Sequence, residues 1–110
     1  MESIHFPITN WSEDDRPREK LMLKGKGVLS DAELIAILIG SGSRNESAVD
    51  LSKRILASVD TLNSLGKMSL AQLTNFKGIG EAKAIAIIAA LELGRRRRAE
   101  DSVELTKITS

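Results

Sequence analysis

The sequence has no cysteine and no tyrosine, one histidine, one tryptophan, two phenylalanines and two prolines. Without cysteine there are no disulfides, thiolate metal sites or thiol nucleophiles, and a cytoplasmic location is expected. A lone histidine, His5, cannot build a histidine-based zinc site or a Ser-His-Asp triad. The first residues lack the basic-then-apolar order of a signal peptide. No apolar run approaches the length that spans a bilayer. No nucleophile–base pair or metal-ligand cluster is visible, so neither an enzyme nor a membrane protein is expected. With aromatics at 3% the core must come from Leu, Ile, Ala and Val, which suits closely packed helices.

What is present fits one small domain of 110 residues. The net charge is only +1, but its distribution is uneven. Between Lys67 and Arg98 there are 7 basic and 2 acidic side chains, whereas residues 1–60 hold 8 basic and 10 acidic. The positive field sits in one segment, as binding to a polyanion backbone requires.

The pattern predicts an all-α chain, a compact bundle of about five short helices. Residues 1–15 read as an arm in which Ile4, Phe6, Ile8 and Trp11 are apolar beads. Pro17 suits the start of a helix running to about Lys24, because first-turn N–H groups are unpaired anyway. Ser30-Asp31-Ala32-Glu33 and Ser69-Leu70-Ala71-Gln72 are capping boxes, and Ser47 with Asp50 can cap a helix carrying Leu51, Ile55 and Leu56. The run Leu34–Ile39 is too apolar for a surface helix and is expected to be central. Thr61–Leu65 makes one further turn. The longest helix is expected from Glu81 to about Arg97, with Ala82, Ile85, Ile88, Ala89 and Leu93 as its apolar repeat. The domain is placed at 16–98. Residues 99–110 read as a linker, where Val103, Leu105 and Ile108 could add a strand to a further domain. A capped helix, a Gly-x-Gly break and a second helix occur twice, which reads as a degenerate tandem pair.

The informative stretch is Lys77-Gly78-Ile79-Gly80-Glu81-Ala82-Lys83-Ala84. Ile79 can turn inward and pin the loop to the core. The N–H groups around Gly78 to Glu81 then face outward at a helix N-terminus, an arrangement that favours an anion. Lys83 falls in the first turn, where the dipole disfavours a cation unless an anion docks there. A tight interhelical turn with solvated lysines is the competing reading.

Gly78-Ile79-Gly80, followed by Ala84 and Ile87, resembles the helix-hairpin-helix motif of DNA repair and processing proteins. The rest resembles the N-terminal domain of bacterial RadC-type proteins. The matching residues are Arg16 to Leu21, Leu29 to Leu34, Lys77 to Ala84 and Glu92 to Arg96, within about residues 8–98. The resemblance implies that the amides of Gly78 and Gly80 hold DNA phosphates without reading bases. Some such hairpins also hold a monovalent cation through loop carbonyls. RadC-type proteins usually continue into a metalloprotease-like domain with a His-x-His and a downstream Asp. That domain is missing here, so the chain is expected to be a domain fragment. The family's name implies DNA repair.

The DNA-phosphate set predicted on these grounds is Lys77, Gly78, Ile79, Gly80, Lys83, Arg95 and Arg96. For Arg95-Arg96-Arg97-Arg98 as a group, dipole complementarity and a phosphate stripe stand side by side. Gly40, Ser41, Gly42 and Arg44 are either a second, weak hairpin or a flexible connector, the latter preferred. Arg18 and Lys20 are expected to pair with Glu19, Glu33 or other surface acids. Glu13, Asp14 and Asp15 read as capping and solvated acids, and Trp11 as an apolar anchor. Single-stranded, duplex and branched DNA are not distinguished. The alternative function is a protein-interaction or dimerisation module that positions a downstream catalytic domain.

Overall fold

A computed structural model describes residues 16–109, with side chains as far as Val103. The expectations for Trp11, Glu13, Asp14, Asp15 and the rest of the arm fall outside the described residues. The described residues form six α-helices: α1 (16–24), α2 (Asp31–Ile39), α3 (Ala48–Val59), α4 (Leu62–Gly66), α5 (Leu70–Thr74) and α6 (Glu81–Thr109). One 3-10 turn, Lys26–Val28, joins α1 to α2. The sole extended pairing among them is an isolated bridge between Ser43 and Glu46. The fold is all-α.

Helix starts follow from side chains that compete for backbone donors. Ser30, Ser47, Thr61 and Ser69 each accept a hydrogen bond from the N–H three residues on. Glu33 and Gln72 return the bond to the backbone of Ser30 and Ser69, completing both expected capping boxes. Each such cap contributes about 1 kcal/mol.

The core gathers around α3. Leu51 and Ile55 are fully buried, and Leu65, Leu73, Ala84 and Ile87 close over them. Ile35, Ala36 and Ile39 of α2 complete it from another side. Each fully buried Leu or Ile contributes roughly 1.5–3 kcal/mol. Ser52 is buried among them, and its hydroxyl donates to the Ala48 carbonyl at 2.8 Å, so no polar group is stranded.

Three expectations are corrected. The run Leu34–Ile39 is not uniformly central: Leu34 and Leu38 stay 38% and 37% exposed, because one helix presents only one stripe to a core. On α6 the buried positions are Ala84 and Ile87, with Ile88 and Leu91 packed beside them. Ile85 and Leu93, expected inside, are 53% and 67% exposed. Residues 84–91 are apolar around the whole circumference, so periodicity cannot choose the face. The segment 99–109 is helical rather than linker or strand. No glycine or proline follows Gly94 to stop α6, and Ala, Glu, Leu and Lys all favour helix.

Candidate nucleic-acid interface

The loop between α5 and α6 is closed by short backbone bonds. The Phe76 N–H donates to Leu73 O at 3.1 Å, and the Ile79 N–H to Phe76 O at 3.0 Å. Ile79 turns inward and is 4% exposed, so it pins the loop to the core as expected. Gly78 has φ +95°, in the left-handed region, and a Cβ there would lie 3.2 Å from Leu51 Cδ2. The positive φ favours glycine, and a Cβ would also press on Leu51. Gly80 differs. Its φ lies outside that region and no atom comes within 4 Å of where a Cβ would be. The turn's angles therefore do not require glycine at Gly80.

Gly80 is the residue before α6, and its carbonyl accepts from the Ala84 N–H at 3.0 Å. Glycine has no side chain to cap the first turn, whereas α2, α3, α4 and α5 all start on a hydroxyl. Gly78 and Gly80 are exposed, and among the described residues neither N–H has a hydrogen-bond acceptor. The longest helix thus opens on bare, accessible donors at the positive end of its dipole.

Lys77 is exposed beside this loop. Lys83 is half-buried, and its ammonium donates to Ser41 O at 2.8 Å and Gly78 O at 3.4 Å. That corrects the picture of a solvated lysine. It also places a cation on the Gly78 carbonyl, one of the loop oxygens a monovalent ion would use. Arg54, absent from the expected site, grips the same loop. Its guanidinium binds the Glu46 carboxylate at 2.9 and 3.0 Å and donates to Lys77 O at 2.6 Å. Arg54 holds the Glu46 carboxyl below its ordinary range, and Lys77 adds a smaller pull. An open cleft of about 390 Å³ is lined by Ser43, Asn45, Glu46, Arg54, Lys77 and Gly78. Nothing in the sequence marks Arg54: Glu46 is eight residues before it, but Lys77 is 23 residues on and meets it only through the packing of α3 on the loop.

The other expected residues lie elsewhere. Gly40, Ser41, Gly42 and Arg44 belong to the α2–α3 loop, whose tip closes through the Ser43 N–H to Glu46 O at 2.8 Å. A Cβ at Gly42 would overlap the Glu46 carbonyl, so this loop is a folded turn rather than a loose connector. Arg44 is exposed at its tip. Lys20 pairs with Glu33 at 3.1 Å, as expected. Arg95 and Arg96 both bind Glu92, at 2.9 Å each, and lower its pKa to about 2. At about 100° per residue they point roughly 120–140° away from Lys83, whereas Arg97 and Arg98 lie within about 60° of it. Among the described residues no three His, Cys, Asp or Glu side chains gather as a metal site. No described helix is long and apolar enough to cross a membrane.

Residues 8–85 match the family model described as UPF0758 N-terminal. A UPF0758 protein of Flavobacterium johnsoniae is 76% identical over 110 residues, all of this chain and 48% of that protein. One from Geobacillus kaustophilus is 50% identical over 89 residues, 81% of this chain and 39% of that protein. One from Porphyromonas gingivalis is 46% identical over 104 residues, 93% of this chain and 46% of that protein. The chain spans about half the length of these curated relatives or less. No solved structure matches it. With 78 of 110 residues matched by the family model and a relative 76% identical over the whole of this chain, the chain belongs to the UPF0758 family, the RadC-like family, and corresponds to its N-terminal part.

Proposed function

We propose that α5, the glycine loop and α6 form a helix-hairpin-helix that binds the DNA backbone without reading sequence. The carrying observation is the start of α6. The longest helix opens on an uncapped, exposed Gly80, and among the described residues the Gly78 and Gly80 donors have no protein acceptor. Lys77 and Lys83 flank that opening with positive charge. Phosphate oxygens accept from such amides at roughly 2.9 Å, and the helix dipole favours the negative charge. The Gly78 carbonyl is already held by Lys83, so binding needs no monovalent ion at that oxygen. Arg97 and Arg98, on the Lys83 side of α6, supply secondary contacts. The module would serve a RadC-like DNA repair protein, carried beside a metalloprotease-like domain. The test is a titration of labelled single-stranded, duplex and branched DNA at two salt concentrations.

A second reading rests on a different observation. Ala82, Ile85, Ala89 and Leu93 form an exposed apolar stripe along α6, with Ile85 at 53% and Leu93 at 67%. Such a face suits a protein partner or a second copy, and the module would then position a downstream domain. Sedimentation of the protein with and without DNA separates the two.

A further inference from the structure

Two loops distant in sequence are joined by two cations. Arg54 connects Glu46, at the end of the α2–α3 loop, to Lys77 O in the glycine loop. Lys83 connects Ser41, at the start of the α2–α3 loop, to Gly78 O. The carbonyls they grip are consecutive. This matters because a peptide unit is planar and trans, so its carbonyl and N–H point in opposite directions. The unit that carries Lys77 C=O also carries the Gly78 N–H. Holding that oxygen on Arg54 fixes the direction of that donor. The unit that carries Gly78 C=O also carries the Ile79 N–H, which donates to Phe76 O at 3.0 Å. Lys83 therefore holds the second plane from outside while Phe76 holds it from within.

The α2–α3 loop is itself stiff enough to serve as an anchor. Gly42 is packed so closely that a Cβ would overlap the Glu46 carbonyl, and Ser43 and Glu46 are bridged. Arg54 rises from the middle of α3, next to fully buried Leu51 and Ile55, so its base is fixed by the core. Its fork makes two bonds to one carboxylate and a third to the carbonyl, a geometry that a lysine cannot copy.

We infer that Arg54 is a positioning residue: with Lys83 it couples the α2–α3 loop to the glycine loop and aims the Gly78 N–H. The coupling is a property of the free protein. Its consequence for DNA rests on the backbone-binding reading above.

The experiment uses the whole 110-residue chain in two arms. In the first, amide hydrogen exchange is compared between the wild type, Arg54→Met and Arg54→Lys. The reporters are Ser43 N–H, which donates to Glu46 O, and Ile79 N–H, which donates to Phe76 O. In Arg54→Met both are expected to exchange about tenfold faster or more, together, while α3 and α6 core amides keep their wild-type rates. Arg54→Lys should recover part of that loss. If only Ser43 responds, if neither does, or if every helix loosens equally, the coupling is overturned.

In the second arm, duplex affinity is measured against salt. Arg54→Met is expected to weaken binding about fivefold with an unchanged log–log slope, because no phosphate contact is lost. A slope shallower by about 0.9 would mean that Arg54 itself touches a phosphate, and the positioning role would fall. If wild-type protein does not bind DNA, the backbone-binding reading fails, while the exchange arm still decides the coupling.

Discussion

Gly78 and Gly80 sit two residues apart in one loop, and alanine at each should have opposite consequences. At Gly78 the backbone is at φ +95° and the new Cβ would lie 3.2 Å from Leu51 Cδ2. The left-handed conformation costs a non-glycine residue about 1–2 kcal/mol. Leu51 is fully buried at the centre of the core, so it can give way only by disturbing close-packed neighbours, for roughly another 1 kcal/mol. The expected loss is about 2–3 kcal/mol, or on the order of 8–20 °C in melting temperature for a domain of this size. At Gly80 nothing lies within 4 Å and the angles suit any residue. Gly80→Ala should therefore melt within about 0.5 kcal/mol of wild type. Yet, on the proposed backbone-binding reading, its methyl group would occupy the space through which a phosphate would reach the first amides of α6. DNA binding should fall about tenfold or more. Thermal denaturation followed by circular dichroism at 222 nm gives the first quantity, and fluorescence anisotropy with a labelled duplex the second. Gly78→Ala melting within 2 °C of wild type would refute the packing argument, with that margin set at about half the shift per kcal/mol. Gly80→Ala binding as wild type would refute the phosphate argument.

Other expected outcomes follow from single contacts. Lys77→Glu should weaken DNA binding with little loss of stability, whereas Lys83→Glu should lower the melting temperature as well, because it removes the bonds to Ser41 O and Gly78 O. Thermal melts beside titrations separate the two. Ser69→Ala should cost about 1 kcal/mol in denaturant unfolding, since it removes the hydroxyl of a complete capping box. Glu33 is held below its ordinary 4.5, first by the Ser30 backbone N–H and then by Lys20, and Glu92 is lowered to about 2 by Arg95 and Arg96. Carboxyls with depressed folded values stabilise above their ordinary pKa and lose that contribution as pH falls through the folded value. Stability should thus be level above about pH 5 and decline below about pH 4.5. Glu33→Gln should flatten the upper part of that decline, and the Glu92 carboxyl should titrate near pH 2 by NMR.

The local rules were legible wherever a short-range bond decides. Ser30 with Glu33 and Ser69 with Gln72 are recognisable as caps because both partners lie within one turn. Ile79 is recognisable as the inward residue because it is the one apolar side chain between two glycines. The face of α6 was not legible. Residues 84–91 offer apolar side chains in every direction, and only the positions of α2, α4 and α5 around α6 select Ala84 and Ile87. The end of α6 was not legible either: residues 99–110 read as a linker, yet they contain no glycine or proline to stop the helix. Within the candidate site, Lys77, Gly78 and Gly80 could be grouped from spacing, since they share one loop. Arg54 could not, because its contact with the Lys77 carbonyl, 23 residues away, is made only by tertiary packing. The charge of Lys83 is legible in the sequence, but its bond to the Ser41 carbonyl depends on the neighbouring loop.

The central claim, backbone binding by an uncapped helix start, is tested most directly by titrating two unrelated duplexes of equal length over a range of salt. About 3–5 phosphate contacts predict a log–log slope of roughly −3 to −4.5, equal for both duplexes, with micromolar or weaker affinity. A flat salt response, or a strong preference for one sequence, would contradict the account.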